Sequence, residues 1–218
     1  LSKKYGFNLD IKEEYFGGIA YEKHNDPAPK ETLDQCKASD AVLLACVGDM
    51  KYDTLPRELR PESGLLKLRE ALNLFANIRP VKIRKSLLDS SSLKKEVIEN
   101  VDLIVVRELI GGIYFGQPRG QITNTKLKKA FNTMVYDSNE IERITEVAIK
   151  IANQRSKKIC SVDKSNVLEV SQLWRDTVSL VASKENDLAL SNMYVDNAAM
   201  QLVKDPSQFD VILTSNLF

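Results

Sequence analysis

Short apolar runs and helical stripes alternate along this chain. Four runs, Ala41 to Val47, Val101 to Val106, Lys158 to Val162 and Phe209 to Thr214, are continuous rather than alternating in polarity, which predicts strands covered on both faces. Between them, Leu65, Leu68, Leu72 and Phe75 recur at helical spacing, and Pro80 is expected to keep that helix from running further. Ile141, Ile144, Val147, Ala148 and Ile151 mark a second helix, and the stretch from Leu168 to Val181 a third. Strands alternating with helices imply an α/β fold. From Gly116 to Val135 the pattern dissolves into Gly, Pro, Thr, Asn and Lys, too long for an ordinary connection, so this segment is expected to be an arm or excursion. There is no internal repeat and no low-complexity tract.

Composition narrows the choices. With 218 residues and 43% hydrophobic content, the chain can bury a sizeable core, at the boundary between one domain and two. A net charge of +1 gives no bulk reason to expect nucleic acid or an anionic membrane as partner. No apolar run approaches the roughly 20 residues that cross a bilayer, and no charged-then-apolar leader opens the chain, so a soluble, cytoplasmic protein is expected. Cys36, Cys46 and Cys160 are odd in number and lack metal-ligand spacing, which predicts reduced core thiols. His24, the single histidine, sits in a Lys-His-Asn-Asp stretch and reads as surface loop. Leu1 begins inside what reads as a helix end, and the buried run Phe209 to Thr214 is followed by only Ser215, Asn216, Leu217 and Phe218, so a piece of a longer chain is expected.

The chemistry starts on the helix near Gly64, where Leu66, Arg69 and Asn73 share one side. Arg79, just before Pro80, supplies a second guanidinium. Two planar forks can grip a diacid, because bidentate pairing with carboxylates is strong and geometry-selective. Solvated surface charge is the competing reading of both arginines. In Arg-Glu-Leu-Ile-Gly-Gly-Ile-Tyr-Phe-Gly, Arg107 to Gly116, a buried strand delivers Arg107 at its end, and ligands of open α/β sheets bind at such carboxyl ends. Gly111 and Gly112 then permit close backbone approach before Tyr114. There is no G-x-G-x-x-G fingerprint and no P-loop, so a standard Rossmann cofactor site has no support.

Taken with Pro61 to Arg69 (Pro-Glu-Ser-Gly-Leu-Leu-Lys-Leu-Arg) and Leu74 to Pro80 (Leu-Phe-Ala-Asn-Ile-Arg-Pro), that segment resembles the β-decarboxylating 2-hydroxyacid dehydrogenases, the isocitrate and isopropylmalate dehydrogenase family. Ser161 to Val167 (Ser-Val-Asp-Lys-Ser-Asn-Val) and Tyr194 to Met200 (Tyr-Val-Asp-Asn-Ala-Ala-Met) agree, so five motifs in order cover essentially the whole chain. The resemblance implies a two-domain fold distinct from the Rossmann fold. Residues 1–74 would be part of the first, cofactor-side domain, and 75–218 a second, dimer-forming domain whose arm, 116–135, clasps the other subunit.

It also implies a site. Arg69, Arg79 and Arg107 would hold substrate carboxylates, Tyr114 and Lys164 would do the acid–base work, and Asp196 would contact substrate and a magnesium or manganese ion. Asp49, Glu62 and Asn166 would meet the NAD cofactor, and Lys164, Val167 and Asp196 would serve the active site of the partner in a homodimer. Leu65 and Leu66, completed by Val167, cannot hold a further carboxylate but can bury an isopropyl group, which points to the isopropylmalate type on the route to leucine. A piece of this length alone is expected not to turn over. The alternatives are a tartrate, malate or homoisocitrate type of the same family, or a non-catalytic diacid-binding fragment.

Overall fold

The computed structural model describes residues 2–124 and 127–218. The backbone divides into two compact units, residues 1–73 and residues 74–218.

The first unit contains α1 (Ser2–Tyr5), α2 (Gly18–His24), α3 (Lys30–Ala38) and α4 (Pro61–Ala71), with single 3-10 turns at Met50–Tyr52 and Arg57–Leu59. Helix α4 starts on Pro61, whose locked φ suits the first helical position, and carries Glu62 in its first turn, where a carboxylate meets the positive end of the helix. It buries Gly64 and Leu68; a Cβ on Gly64 would lie 2.8 Å from the Pro27 carbonyl oxygen, so helix and loop meet backbone to backbone. The helix stops at Ala71 and Asn73 turns left-handed with φ 51°, a conformation that asparagine tolerates. The expected run to Pro80 is therefore corrected, and Asn73 lies past the helix rather than on its side.

A second expectation fails in this unit. Ala41 to Val47 is not a strand, and Leu43 is fully exposed. A β-ladder needs a partner, and the described residues of this unit include no strand to supply one. Cys46 is exposed as well, so only Cys160 is the buried thiol expected, with Cys36 between the two. His24 is exposed but ends α2 instead of sitting in a loop.

The second unit contains β1 (Ala76–Lys82), α5 (Lys95–Ile98), β2 (Asp102–Glu108), β3 (Gly120–Thr123), β4 (Lys128–Phe131), α6 (Ser138–Ala152), β5 (Lys158–Asp163), α7 (Glu169–Ala182), β6 (Ala189–Tyr194), α8 (Val195–Lys204) and β7 (Val211–Thr214). Five strands form a sheet in the order β1-β2-β7-β5-β6, with β1 antiparallel to β2 and every other pairing parallel. Pro80 lies inside β1, where it is tolerated because β1 is an edge strand with one side of its backbone free of the ladder. β3 and β4 pair with each other as a separate, exposed ribbon.

The central strands β2, β7 and β5 carry apolar side chains on both faces, as their continuous apolar runs require. One face carries Val106, Ile159, Val211 and Leu213 beneath α6 and α7, through Ile141, Ile144, Trp174 and Val178. The other carries Leu103, Cys160, Val162 and Ile212 beneath α5 and α8, through Ile98 and Ala198. Burying each of the large side chains contributes about 1.5–3 kcal/mol. Asp137 and Glu140 close a reciprocal capping box that starts α6. At the amino ends of the central strands Arg155 ties three segments together, donating to Asp210 (Nε to Oδ1, 2.6 Å) and to the Asp102 side chain (2.9 Å).

Candidate active site at the carboxyl ends of the parallel strands

β2, β7, β5 and β6 end together, with Arg107 beside Thr214, Thr214 beside Val162, and Asp163 beside Tyr194. Successive strand residues point to opposite faces, so the charged pairs at two of these ends are divided between the faces. Arg107 follows the parity of Leu103 and Val105 and emerges on the α5/α8 face, whereas Glu108 follows Val106 toward α6 and α7. By the same alternation Asp163 faces α7, and Lys164, one residue on, reaches α8.

Arg79 opposes Val105 and Asn77 opposes Arg107 in the β1–β2 ladder, so both guanidinium groups stand on the same face as diagonal neighbours, roughly 7–8 Å apart at the Cα atoms. Arg79 Nε donates to Asn77 Oδ1 (2.5 Å). Arg107 Nη2 donates to the Asn216 carbonyl oxygen (2.7 Å), while its Nε is buried without a hydrogen-bond partner among the described residues. A buried, unsatisfied donor costs free energy, and a carboxylate is the ligand that would satisfy it best.

Lys164 Nζ lies 2.6 Å from Asp196 Oδ1, at the start of α8. This hydrogen bond, together with the positive lysine, holds the Asp196 carboxyl below the usual carboxylate range. Asn166 and Val167 form the exposed tip between β5 and α7. Behind them Asp163, 1% exposed, is gripped by Arg175 through two bonds of 2.9 Å and accepts from the Ser165 backbone N–H at 2.9 Å. Tyr114 ends a single 3-10 turn at Gly112–Tyr114 with its side chain 43% exposed, and its carbonyl accepts from Arg119.

The remaining expected residues belong to the first unit. Leu65 and Leu66 are half-buried on α4, with Arg69 one turn further along. Glu62 Oε1 sits where a Cβ on Gly48 would fall, within 2.5 Å, so a bare backbone next to Asp49 adjoins this carboxylate. The Asp49 carboxylate accepts from the Lys51 backbone N–H at 3.0 Å. Asp49 thus follows a backbone position that meets the Glu62 carboxylate within this unit.

A metal is less well provided for. Asp196 is one hard oxygen donor, but a magnesium or manganese ion takes about six ligands, and no group of three or more His, Cys, Asp or Glu is gathered to hold a cation among the described residues. These residues alone do not make the metal site.

Reading the sequence overlooked the groups behind the site. Glu108, fully buried, accepts from the backbone N–H of Ile110 (Oε1, 3.0 Å) and Gly111 (Oε2, 2.9 Å) and from the Tyr136 hydroxyl (Oε2, 2.9 Å). Tyr136 accepts in turn from the Asn216 backbone N–H (2.9 Å). Burial, and then the adjacent Glu108, push the Tyr136 phenol up, so it stays a donor. The alternation of Arg107 with Glu108 was the available signal for the glutamate; Tyr136 and Asn216 arrive from distant segments and carry no local sign.

Comparison with known proteins agrees on the kind of protein. The family profile described as isocitrate/isopropylmalate dehydrogenase matches residues 1–218. The 3-isopropylmalate dehydrogenase of Prochlorococcus marinus subsp. pastoris is 97% identical over 218 residues, which are 100% of this chain and 61% of that protein. The 3-isopropylmalate dehydrogenase of Synechococcus sp. (strain CC9605) is 58% identical over the same span, again 61% of its length. Among solved structures, isocitrate dehydrogenase from Methylococcus capsulatus superposes with a TM-score of 0.76 at 29% identity, covering 97% of this chain and 59% of that one. The chain therefore spans less than two thirds of the length of these relatives.

Proposed function

The chain belongs to the isocitrate/isopropylmalate dehydrogenase family, and we propose that, within a protein of the length of its relatives, it carries the NAD-dependent oxidation and decarboxylation of 3-isopropylmalate in leucine biosynthesis. The observation that carries this reading is the pair of guanidinium groups, Arg79 and Arg107, on one sheet face, with a buried Arg107 donor left for a ligand. The 3-isopropylmalate dehydrogenases at 97% and 58% identity supply the substrate name.

Arg79 and Arg107 hold substrate carboxylates and set the reacting carbon in place. Lys164 takes the hydroxyl proton as the C2 hydrogen leaves as hydride, which NAD accepts when bound. For this the Lys164–Asp196 pairing must open and the lysine must first give up its own proton to solvent, so that a neutral amine accepts. The C–C bond to one carboxylate then breaks, carbon dioxide departs, and its bonding electrons form an enolate to which Tyr114 delivers a proton. Asp49, Glu62 and Asn166 are assigned to the cofactor. Asp196 is assigned as one ligand of a divalent ion.

A homodimer fits the same reading. Leu173 and Leu180 on α7 and Met200 and Val203 on α8 are exposed, as is the β3–β4 ribbon, and exposed apolar side chains on regular elements are available to a subunit interface. Lys164, Val167 and Asp196 would then serve the partner's site. Among the described residues no helix is long and apolar enough to cross a membrane.

Leu65 and Leu66 make the choice of substrate testable. Burying an isopropyl group contributes about 2 kcal/mol, or roughly 30-fold in kcat/KM, and a third carboxylate in its place goes unpaired. Steady-state rates should therefore favour 3-isopropylmalate over isocitrate by at least ~30-fold. Equal or higher kcat/KM on isocitrate would remove the basis for the apolar pocket.

A further inference from the structure

We propose that Glu108 is a positioning residue for the reaction: its buried carboxylate, through Tyr136 and Asn216, holds both the Arg107 guanidinium and the turn that carries Tyr114. The proposal rests on the reading of Arg107 and Tyr114 given above.

Glu108 is 0% exposed and lies on the sheet face away from the site, among the apolar side chains beneath α6 and α7. An acid there is costly unless its oxygens are satisfied, and an apolar residue of similar size would serve packing as well or better. What the acid supplies is specific to the turn. Two of its three short hydrogen bonds are to the consecutive backbone N–H groups of Ile110 and Gly111, just ahead of Gly112–Tyr114. The third is to Tyr136, and the nearest cation, Arg143, stands back at 3.9 Å.

From Tyr136 the connections return to Arg107. The Tyr136 hydroxyl accepts from Asn216 N–H, and the Asn216 carbonyl accepts from Arg107 Nη2. Asn216 Nδ2 donates to the carbonyls of Leu109 (3.2 Å) and Gly111 (2.9 Å), closing the ring of contacts on the turn itself. The Tyr136 ring is a fixed wall: it packs edge-on against buried Trp174, centroids 5.5 Å apart, and a Cβ on Gly111 or Gly112 would fall within 2.5–2.7 Å of it. The clamp and the turn thus hang from one anchor.

The experiment uses the enzyme at the length of its relatives, with Tyr136→Phe and Glu108→Gln as variants and Val178→Ala as a control for lost core stability. Tyr136→Phe keeps the ring and removes the hydroxyl; Glu108→Gln turns an amide N–H toward a backbone N–H that needs an acceptor. Because misplacement by about 1 Å costs up to ~100-fold, Tyr136→Phe should lower kcat/KM for 3-isopropylmalate ~10- to 100-fold. The loss should appear in both kcat and the KM for 3-isopropylmalate, with the KM for NAD within about two-fold of normal. Val178→Ala should lower Tm and leave all three kinetic constants alone.

A Tyr136→Phe enzyme with unchanged kinetics, or one in which the KM for NAD rises along with the other two constants, overturns the proposal even if Glu108→Gln does not fold. If the unsubstituted enzyme prefers another diacid, the functional reading fails instead, and the same comparison on that diacid decides the role of Glu108.

Discussion

Replacing Gly111 by alanine adds one methyl group at the most crowded point of this network. Its φ of −109° suits any residue, so the penalty is steric. The new Cβ would lie 2.5 Å from Tyr136 Cε1, 3.0 Å from Cδ1 and 3.2 Å from Glu108 Oε2. Ordinary carbon contact needs about 3.5–4.0 Å, so the ring must retreat by roughly 1 Å, and buried Trp174 stands behind it. A displacement of that size stretches the 2.9 Å bonds from Tyr136 to Glu108 and from Asn216 to Tyr136 beyond hydrogen-bonding range. Overpacking costs about 1–3 kcal/mol and each lost bond about 0.5–1.5 kcal/mol. A loss of about 3 kcal/mol would lower Tm by roughly 6–12 °C in a protein of this size. Trp174, the chain's one tryptophan, touches the moving ring, so thermal unfolding followed by its fluorescence reports the change directly. A Tm within about 2 °C of the unsubstituted protein would show that the turn is not pressed against Tyr136 as described.

The other predictions concern the base and the ion pairs. Lys164→Ala should lower kcat by ~100-fold or more while leaving circular dichroism intact. Mixing it with Arg107→Ala subunits should restore up to about a quarter of the activity through heterodimers with one intact site, and its failure to reappear despite proven exchange would place both groups in a site built by one subunit. Burial pulls the Asp210 carboxyl up, but hydrogen bonds from Ser156 and Arg155 prevail and hold it below the usual range; Asp102 is held down by Lys82 and then Arg155. A depressed carboxyl contributes stability that is present above its unfolded value and lost as pH falls through its folded one, so Tm should fall between about pH 5 and pH 2. Asp210→Asn should lower Tm at neutral pH and flatten that acid limb; an unchanged acid slope would count against the assignment.

The parts legible in the sequence were those whose signal is dense. Val101 to Val106, Lys158 to Val162 and Phe209 to Thr214 are central strands, covered on both faces, and their continuous apolar runs say so. β1 and β6 went unnoticed because they are edge strands. Their sequences, Ala-Asn-Ile-Arg-Pro-Val-Lys and Ala-Leu-Ser-Asn-Met-Tyr, face solvent along much of their length and carry little hydrophobic pattern. Ala41 to Val47 misled for the opposite reason, since apolarity signals a need for cover and says nothing about a ladder partner. In the site, Arg107, Lys164 and Asp196 stand at element ends within recognisable motifs. Glu108 was passed over as the neighbour of an arginine, although strand alternation sends the two to opposite faces. Asn216 could not be read at all, because its partners lie 80 to 109 residues earlier in the chain.

The strand order has a consequence for how the molecule comes into being. β7 sits between β2 and β5, yet among the described residues it is the last strand of that sheet in chain order. Until it arrives, β1 with β2 and β5 with β6 are separate ladders, each with a bare inner edge of the kind that recruits strands from other chains. Synthesis at about 5–20 residues per second leaves the β5 edge open for roughly 2–10 s while the stretch up to β7 is made. The nascent chain is therefore most vulnerable to aggregation in that interval, and whatever shields two unpaired strand edges on the ribosome should matter more to the yield of this protein than the stability of the finished sheet.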